Sequence, residues 1–153
     1  MVGKSCAHAE HERRANAMTP TTKVPELLRR SGLRPTRQRL LLGELLFGRG
    51  HRHATAEMLH GEAVEAGERV SLATVYNTLH QFKRAGLLRE LAIDGSKAYF
   101  DTNTSNHNHF FYEREGRLVD IPEDKIQVDG VPDAPDGMVI SHIDVVVRLA
   151  PKP

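Results

Sequence analysis

Along residues 70–90, VSLATVYNTLHQFKRAGLLRE, the apolar side chains Leu72, Val75, Leu79 and Phe82 return at three- and four-residue steps. That is the period of one helix face. Ser71 stands in front as an N-cap, and Gly86 behind as a left-handed stop. The opposite face carries Thr74, Tyr76, Asn77, His80, Gln81 and Arg84, with Ala73 beside them and no carboxylate. Such a helix is either a solvated surface helix or one that enters a DNA major groove.

Upstream, the same period predicts three more helices. Residues 24–31 turn Leu27 and Leu28 inward and stop at Gly32. Thr36 caps residues 37–47, whose expected buried side is Leu40, Leu41, Leu45 and Leu46. Thr55 caps a third, with Ala56, Leu59, Ala63 and Ala66 as its seam and Gly67 as its end. Past Gly86 the pattern loosens towards alternation. Residues 87–93 and 97–100 read as two strands around Asp94-Gly95, a tight-hairpin signal. Helices followed by a hairpin make a winged helix, in which the helix reads the groove and the hairpin touches phosphates. Arg34, Arg37 and Arg39 at the second helix, Lys97 near the hairpin tip and Arg89 at its base suit phosphates, or are simply solvated.

Beyond residue 101 the pattern is different. Residues 107–112, 117–121 and 138–149 read as strands, with a short helix in 122–127. Three strands and one small helix bury little by themselves, and a second copy would complete their core. The fold class expected is α+β: a flexible arm (1–22), a winged-helix DNA-binding domain (23–101) and an α/β dimerisation domain (102–153).

Charge divides along the same line. Residues 1–100 hold 16 Lys and Arg against 10 Asp and Glu, whereas 101–153 hold 5 against 10. A basic first part fits a polyanion and an acidic second part fits cations or a protein contact, although counts this small also arise by chance. One cysteine, Cys6, excludes an intrachain disulfide or a structural zinc held by four cysteines, and fits a reducing cytoplasm. No apolar run approaches the ~20 residues of a membrane span, and the first residues do not read as a secretory signal. Cys6, His8 and His11 read as part of a solvated tail more readily than as a metal or haem contact.

His107 and His109, two apart on an expected strand, point to one face. Asp101 closes the hairpin, Asp120 lies on the neighbouring strand, and His53 precedes the third helix. Imidazole with carboxylate suits a divalent ion such as Fe(II), Mn(II) or Zn(II). A His-x-His alone is weak evidence.

The phrases LRPTRQRLLL, HATAEML, SLATVYNTLHQF, AGLL and GSKAYFD, in this order, resemble the ferric uptake regulator family over residues 24–149. RPTRQR, LLFGRGHRHATAEML, SLATVYNTL and YFDTN are most similar to its iron response regulator subgroup of alphaproteobacteria. The resemblance implies a homodimeric, metal-dependent transcription factor that binds a palindromic double-stranded DNA operator and controls iron- or haem-related genes. It implies that His53, Asp101, His107, His109 and Asp120 hold the sensing metal. Arg34, Arg37, Ser71, Ala73, Thr74, Tyr76, Asn77 and Lys97 are the candidate DNA contacts. Haem enters as a candidate effector. Here, however, Cys6 precedes Ala7 rather than proline, and the subgroup's histidine run is broken to His107-Asn108-His109. A further metal site of some relatives falls on Asn106, Asn108 and Gln127 and is not carried over. Asn77 stands where many relatives have arginine, and favours adenine where arginine favours guanine. The competing classes are a small His/Asp metalloenzyme, against which stands the lack of an HExxH-type motif, and a metal-independent winged-helix protein.

Overall fold

The computed structural model describes residues 24–93 and 95–153. The proposed arm, with Cys6, His8 and His11, lies outside the described residues, as does Asp94 of the hairpin turn. The fold is α+β. Helices α1 (Val24–Arg30), α2 (Arg37–Phe47), α3 (Ala56–Glu65) and α4 (Leu72–Arg84) come first, with β1 (His53–Ala54) between α2 and α3. The hairpin β2 (Arg89–Ala92) and β3 (Ala98–Asp101) follows, then β4 (Asn108–Tyr112), β5 (Arg117–Ile121), a 3-10 turn at Glu123–Lys125 and β6 (Val146–Leu149).

The helices are closed at their starts by side chains, as expected. Thr36, Thr55 and Ser71 accept from the backbone N–H groups of Arg39, Met58 and Thr74. Val75, Leu79 and Phe82 of α4 pack into one core with Val24, Leu28, Leu42, Leu46, Leu59, Leu88 and Phe100. Phe82 and Phe100 are fully buried, so truncating either to alanine costs about 3–5 kcal/mol. On α2 the fully buried leucines are Leu42 and Leu46, whereas Leu40, Leu41 and Leu45 are only partly covered. Gly43 brings α1 close: a Cβ there would meet Val24 Cγ1 at 2.5 Å. Ala66 is exposed, so the α3 seam ends at Ala63.

The wing has three strands rather than two, in the order β1-β3-β2, because the two residues of β1 pair antiparallel with β3. A second sheet, ordered β5-β4-β6, joins β4 antiparallel to β5 and parallel to β6. The expected strand over 138–149 is cut to its last four residues. His109 pairs with Val146, and β4 begins at Asn108, so earlier residues run past the end of their partner. Met138, Val139, Ile140 and Ile143 are left exposed. Leu91, Ile93 and Tyr99 of the wing segment pack with Phe111 and Leu118 of the second sheet. This second cluster ties the two sheets together beside the place where their acidic and imidazole side chains meet.

Candidate metal centre and nucleic-acid interface

The centre is built from two cross-strand pairs. His53 and Asp101 are Cα partners across β1 and β3, and His109 and Asp120 are partners across β4 and β5. His107 lies two residues before His109 and shares its face. The short strand β1 holds because Arg52 is anchored around it. Its guanidinium donates to both carboxylate oxygens of Glu62 on α3, at 2.6 and 2.9 Å, and to Leu45 O at 2.9 Å. Its backbone N–H donates to Thr102 Oγ1 at 2.8 Å, and its carbonyl accepts from Thr102 N at 3.1 Å.

All five sequence-predicted residues come together. One ligand atom from each of His53, Asp101, His107, His109 and Asp120 lies within 4.8 Å of every other. Asp101 Oδ2 is 3.3, 2.9 and 3.2 Å from the Nε2 atoms of His53, His107 and His109. Asp120 Oδ1 is 2.8, 3.4 and 3.7 Å from the same three. The remaining oxygens are held by Asn103: its N–H donates to Asp101 Oδ1 at 2.7 Å, and its side-chain amide to Asp120 Oδ2 at 3.4 Å. One oxygen of each carboxylate therefore faces the histidines. Asn103 was not singled out from the sequence, although the Asp-x-Asn spacing suits a side-chain-to-backbone turn.

Charge and burial are opposed here. Burial pushes the His53 imidazolium down, and the carboxylates of Asp101 and Asp120 outweigh it, raising its pKa to about 9. Burial likewise works against the Asp101 carboxylate, yet His109, His53 and the Asn103 N–H hold it well below the usual range. Asp120 is lowered against burial chiefly by His53. His53 Nε2 and Asp120 Oδ1, 2.8 Å apart, are both buried without a hydrogen-bond partner among the described residues, their mutual geometry being unsuitable for one. Asp101 Oδ2 is hydrogen-bonded to the Nε2 atoms of His107 and His109, and with the two unpartnered atoms the three imidazole nitrogens and two carboxylate oxygens make a donor set that fits a borderline divalent cation. His107 Nδ1 must donate to Ser105 O at 2.7 Å, since a carbonyl only accepts, which turns Nε2 towards the centre. His109 Nδ1 is buried without such a partner among the described residues.

The candidate DNA contacts divide differently. Ala73 and Asn77 are exposed on α4. Ser71 Oγ is occupied as the cap and lies 2.9 Å from Thr74 Oγ1. The Tyr76 hydroxyl donates to Glu57 at 2.8 Å, and Arg37, exposed, pairs with Glu68 at 3.0 Å. Carboxylates thus reach this face from α3 and the loop after it, although α4 supplies none. Arg39 donates to Gln81 at 2.9 Å and to Arg34 O at 2.7 Å, joining the entrance of α2 to the outer side of α4. Between them runs a cleft of about 200 Å³ lined by Thr36, Arg39, Thr74, Asn77 and Gln81, among others. Arg34 and Lys97 are exposed. Arg89 does not take the phosphate-facing place expected of it. Its guanidinium is turned to Ser105 O and Asp144, with 14% of the side chain exposed.

Comparison with known proteins follows the same lines. The model of the "Ferric uptake regulator family" matches residues 30–147. A peroxide-responsive repressor from Staphylococcus epidermidis is 38% identical over 93 residues, which are 61% of this chain and 61% of that protein. The chain thus spans less than two thirds of the curated relatives it matches. A ferric uptake regulator from Pseudomonas aeruginosa, solved with manganese, superposes with a TM-score of 0.64 at 27% identity, over 85% of this chain and 98% of that one. The Vibrio cholerae ferric uptake regulator shares the fold, with a TM-score of 0.64 at 24% identity over 81% and 96% of the two chains.

Proposed function

This chain belongs to the ferric uptake regulator family, and on that premise we propose that it is a dimeric, metal-responsive DNA-binding transcriptional regulator and not an enzyme. One observation carries the reading: the five converging donors come from both sheets, His53 and Asp101 from the wing and His107, His109 and Asp120 from the second. Residues 24–101 are the DNA-reading unit in this proposal, and 102–153 the dimerisation and sensing unit.

A divalent ion, Fe(II), Mn(II) or Zn(II), would supply positive charge at the point where five donors now face one another. The residues do the rest. Asp101 and Asp120 would neutralise its charge, Asn103 holds their other oxygens, and His53 would give up the proton that these carboxylates retain on it. Because the donors are divided between two sheets, occupancy favours one orientation of the wing and α4 relative to the second sheet. Binding free energy spent on that orientation is what DNA affinity reads.

On the DNA side, Asn77, Tyr76, Thr74, Ala73 and Ser71 of the α4 segment face bases, while Arg34, Arg37 and Lys97 face phosphates. A second copy covers the exposed apolar residues Met138, Val139, Ile140 and Ile143, and the resulting two-fold symmetry calls for a palindromic operator. No helix among the described residues is long and apolar enough to cross a membrane, and DNA as the proposed partner supports a cytoplasmic location. Within the family, the phrases RPTRQR and YFDTN support the iron response regulator subgroup and control of iron- or haem-related genes. A peroxide-responsive reading is favoured instead by the names of the 38%-identical relatives.

The test uses the duplex that the full-length protein enriches from a randomised pool. Binding that requires Mn(II) or Fe(II) and disappears with chelator is expected. Peroxide abolishing binding of the Fe(II) form but not of the Mn(II) form would select the second reading. Enrichment of no sequence with either metal contradicts both.

A further inference from the structure

Arg89 is a cation of the wing whose side chain leaves the wing. On β2 it is the Cα partner of Asp101, so its backbone is in register with one of the five converging side chains. Nη1 donates to Ser105 O at 2.7 Å, and Nη2 donates to Asp144 Oδ1 at 2.6 Å while also touching His142 Nε2. Ser105 O is also the acceptor for His107 Nδ1. One carbonyl thus receives both the guanidinium and the outer nitrogen of a candidate ligand. Arg89 Nη1 lies 3.4 Å from His107 Nδ1, and because both atoms carry hydrogens this is a contact rather than a bond.

Resting on the metal-site reading above, we propose that Arg89 is a positioning residue for that site. It clamps the Ser105–His107 loop to the wing and couples the loop to the segment before β6. The carbonyl partner of a ligating imidazole fixes which nitrogen bears the proton and how the ring is aimed. Here the carbonyl belongs to an exposed loop residue; the Asn103 side chain accepts from the Ser105 N–H and hydroxyl, and the fork of Arg89 is what holds the carbonyl itself. Asp144 completes the arrangement by offsetting a positive charge that would otherwise stand close to a cation site. Three segments meet at this one side chain: β2, the loop after β3 and residues 142–144.

The experiment compares full-length wild type with Arg89→Gln, Arg89→Lys and Asp144→Asn. Mn(II) affinity is measured by calorimetry, donor geometry by the visible absorption of the Co(II)-loaded protein, and coupling by the ratio of DNA affinities with and without Mn(II). DNA here is the duplex enriched by the wild type. Arg89→Gln is expected to weaken Mn(II) binding about 10–100-fold, the range for loss of such supporting contacts. It also alters the Co(II) band and lowers the DNA ratio. Arg89→Lys keeps the charge but not the fork, so it falls between. Asp144→Asn, which leaves the guanidinium charge uncompensated, also weakens Mn(II).

Arg89 variants that bind Mn(II) like wild type, with an unchanged Co(II) band, overturn the proposal even if they are less stable. Should Arg89→Gln not fold, Arg89→Lys and Asp144→Asn decide by the same criteria. A wild-type protein that takes up no Mn(II) overturns the metal reading itself, a result distinct from intact uptake in every variant.

Discussion

His53 and Asp101 stand opposite one another in the antiparallel register of β1 and β3, so the backbone of the wing brings this imidazole and carboxylate together before any ion arrives. The second sheet repeats the device with His109 and Asp120. Neither pair makes a complete site. Asn103 connects them, because it touches the outer oxygen of each aspartate. Asn103→Ala removes the contact to Asp120 and the two bonds accepted from Ser105 but keeps the backbone bond to Asp101. It should therefore weaken Mn(II) uptake about tenfold, at the mild end for a supporting contact, with little change in fold. Equal uptake by calorimetry would show that neither Asp120 nor the Ser105 loop needs the Asn103 side chain.

At the DNA surface the base-facing and phosphate-facing residues should separate by experiment. Tyr76→Ala or Asn77→Ala should cost about 1–3 kcal/mol against the enriched duplex and little against random DNA. Arg37→Ala should weaken both alike and reduce the salt dependence by roughly one unit. Glu68 pairs with Arg37; if Arg37 faces phosphate as proposed, Glu68→Gln should strengthen binding to random DNA. Fluorescence anisotropy across a salt series reads all three, and a sequence-selective loss in Arg37→Ala would reverse the assignment.

The Arg52–Glu62 pair predicts a pH signature. Hydrogen bonding to Arg52 lowers the Glu62 carboxyl below its ordinary 4.5, against burial. A lowered folded pKa means that the stabilisation is fully present above the unfolded value and is lost as pH falls through the folded one. With side chains 20% and 29% exposed, the pair is worth about 1.5–3 kcal/mol as a charged hydrogen bond. Glu62→Gln should thus be destabilised by that amount at neutral pH, and the gap should close in acid below about 4.5. Urea denaturation at several pH values checks this. A gap independent of pH would mean the pair is not the cause.

Exposed apolar residues before β6 predict the assembly. Val139 is 85% exposed and Ile140 50%, so Val139→Asp with Ile140→Asp should shift the protein from dimer towards monomer in light scattering. A dimer unaffected by both would place the interface elsewhere.

How much of this is visible in the chain depends on period and partner. The three- and four-residue spacing of Val75, Leu79 and Phe82 identifies α4 and its buried face, because a single stripe of large apolar residues fits only one helix orientation. On α2 the run LLLGELLF fits several orientations, and packing against α1 and α3 selects Leu42 and Leu46. β1 is two residues long and has no period. It exists because β3 and the Arg52 anchors are there. Residues 138–144 have strand-like composition but no strand to pair with among the described residues. The five His and Asp positions are suggested by spacing and by the family motifs. The roles of Asn103 and Arg89 there are not, since Asp120 and residues 105 and 142–144 lie in segments that only the folded chain brings near them.

The central claim is that ion capture by donors from both sheets sets DNA affinity. It is tested most directly by the affinity of wild type and His109→Ala for the enriched duplex, in Mn(II) and in chelator. Wild type should bind about 5–150-fold more tightly in Mn(II), the usual range of coupling between sites, and His109→Ala should show a ratio near one. A wild-type ratio of one, or a His109→Ala ratio equal to that of wild type, would contradict the claim.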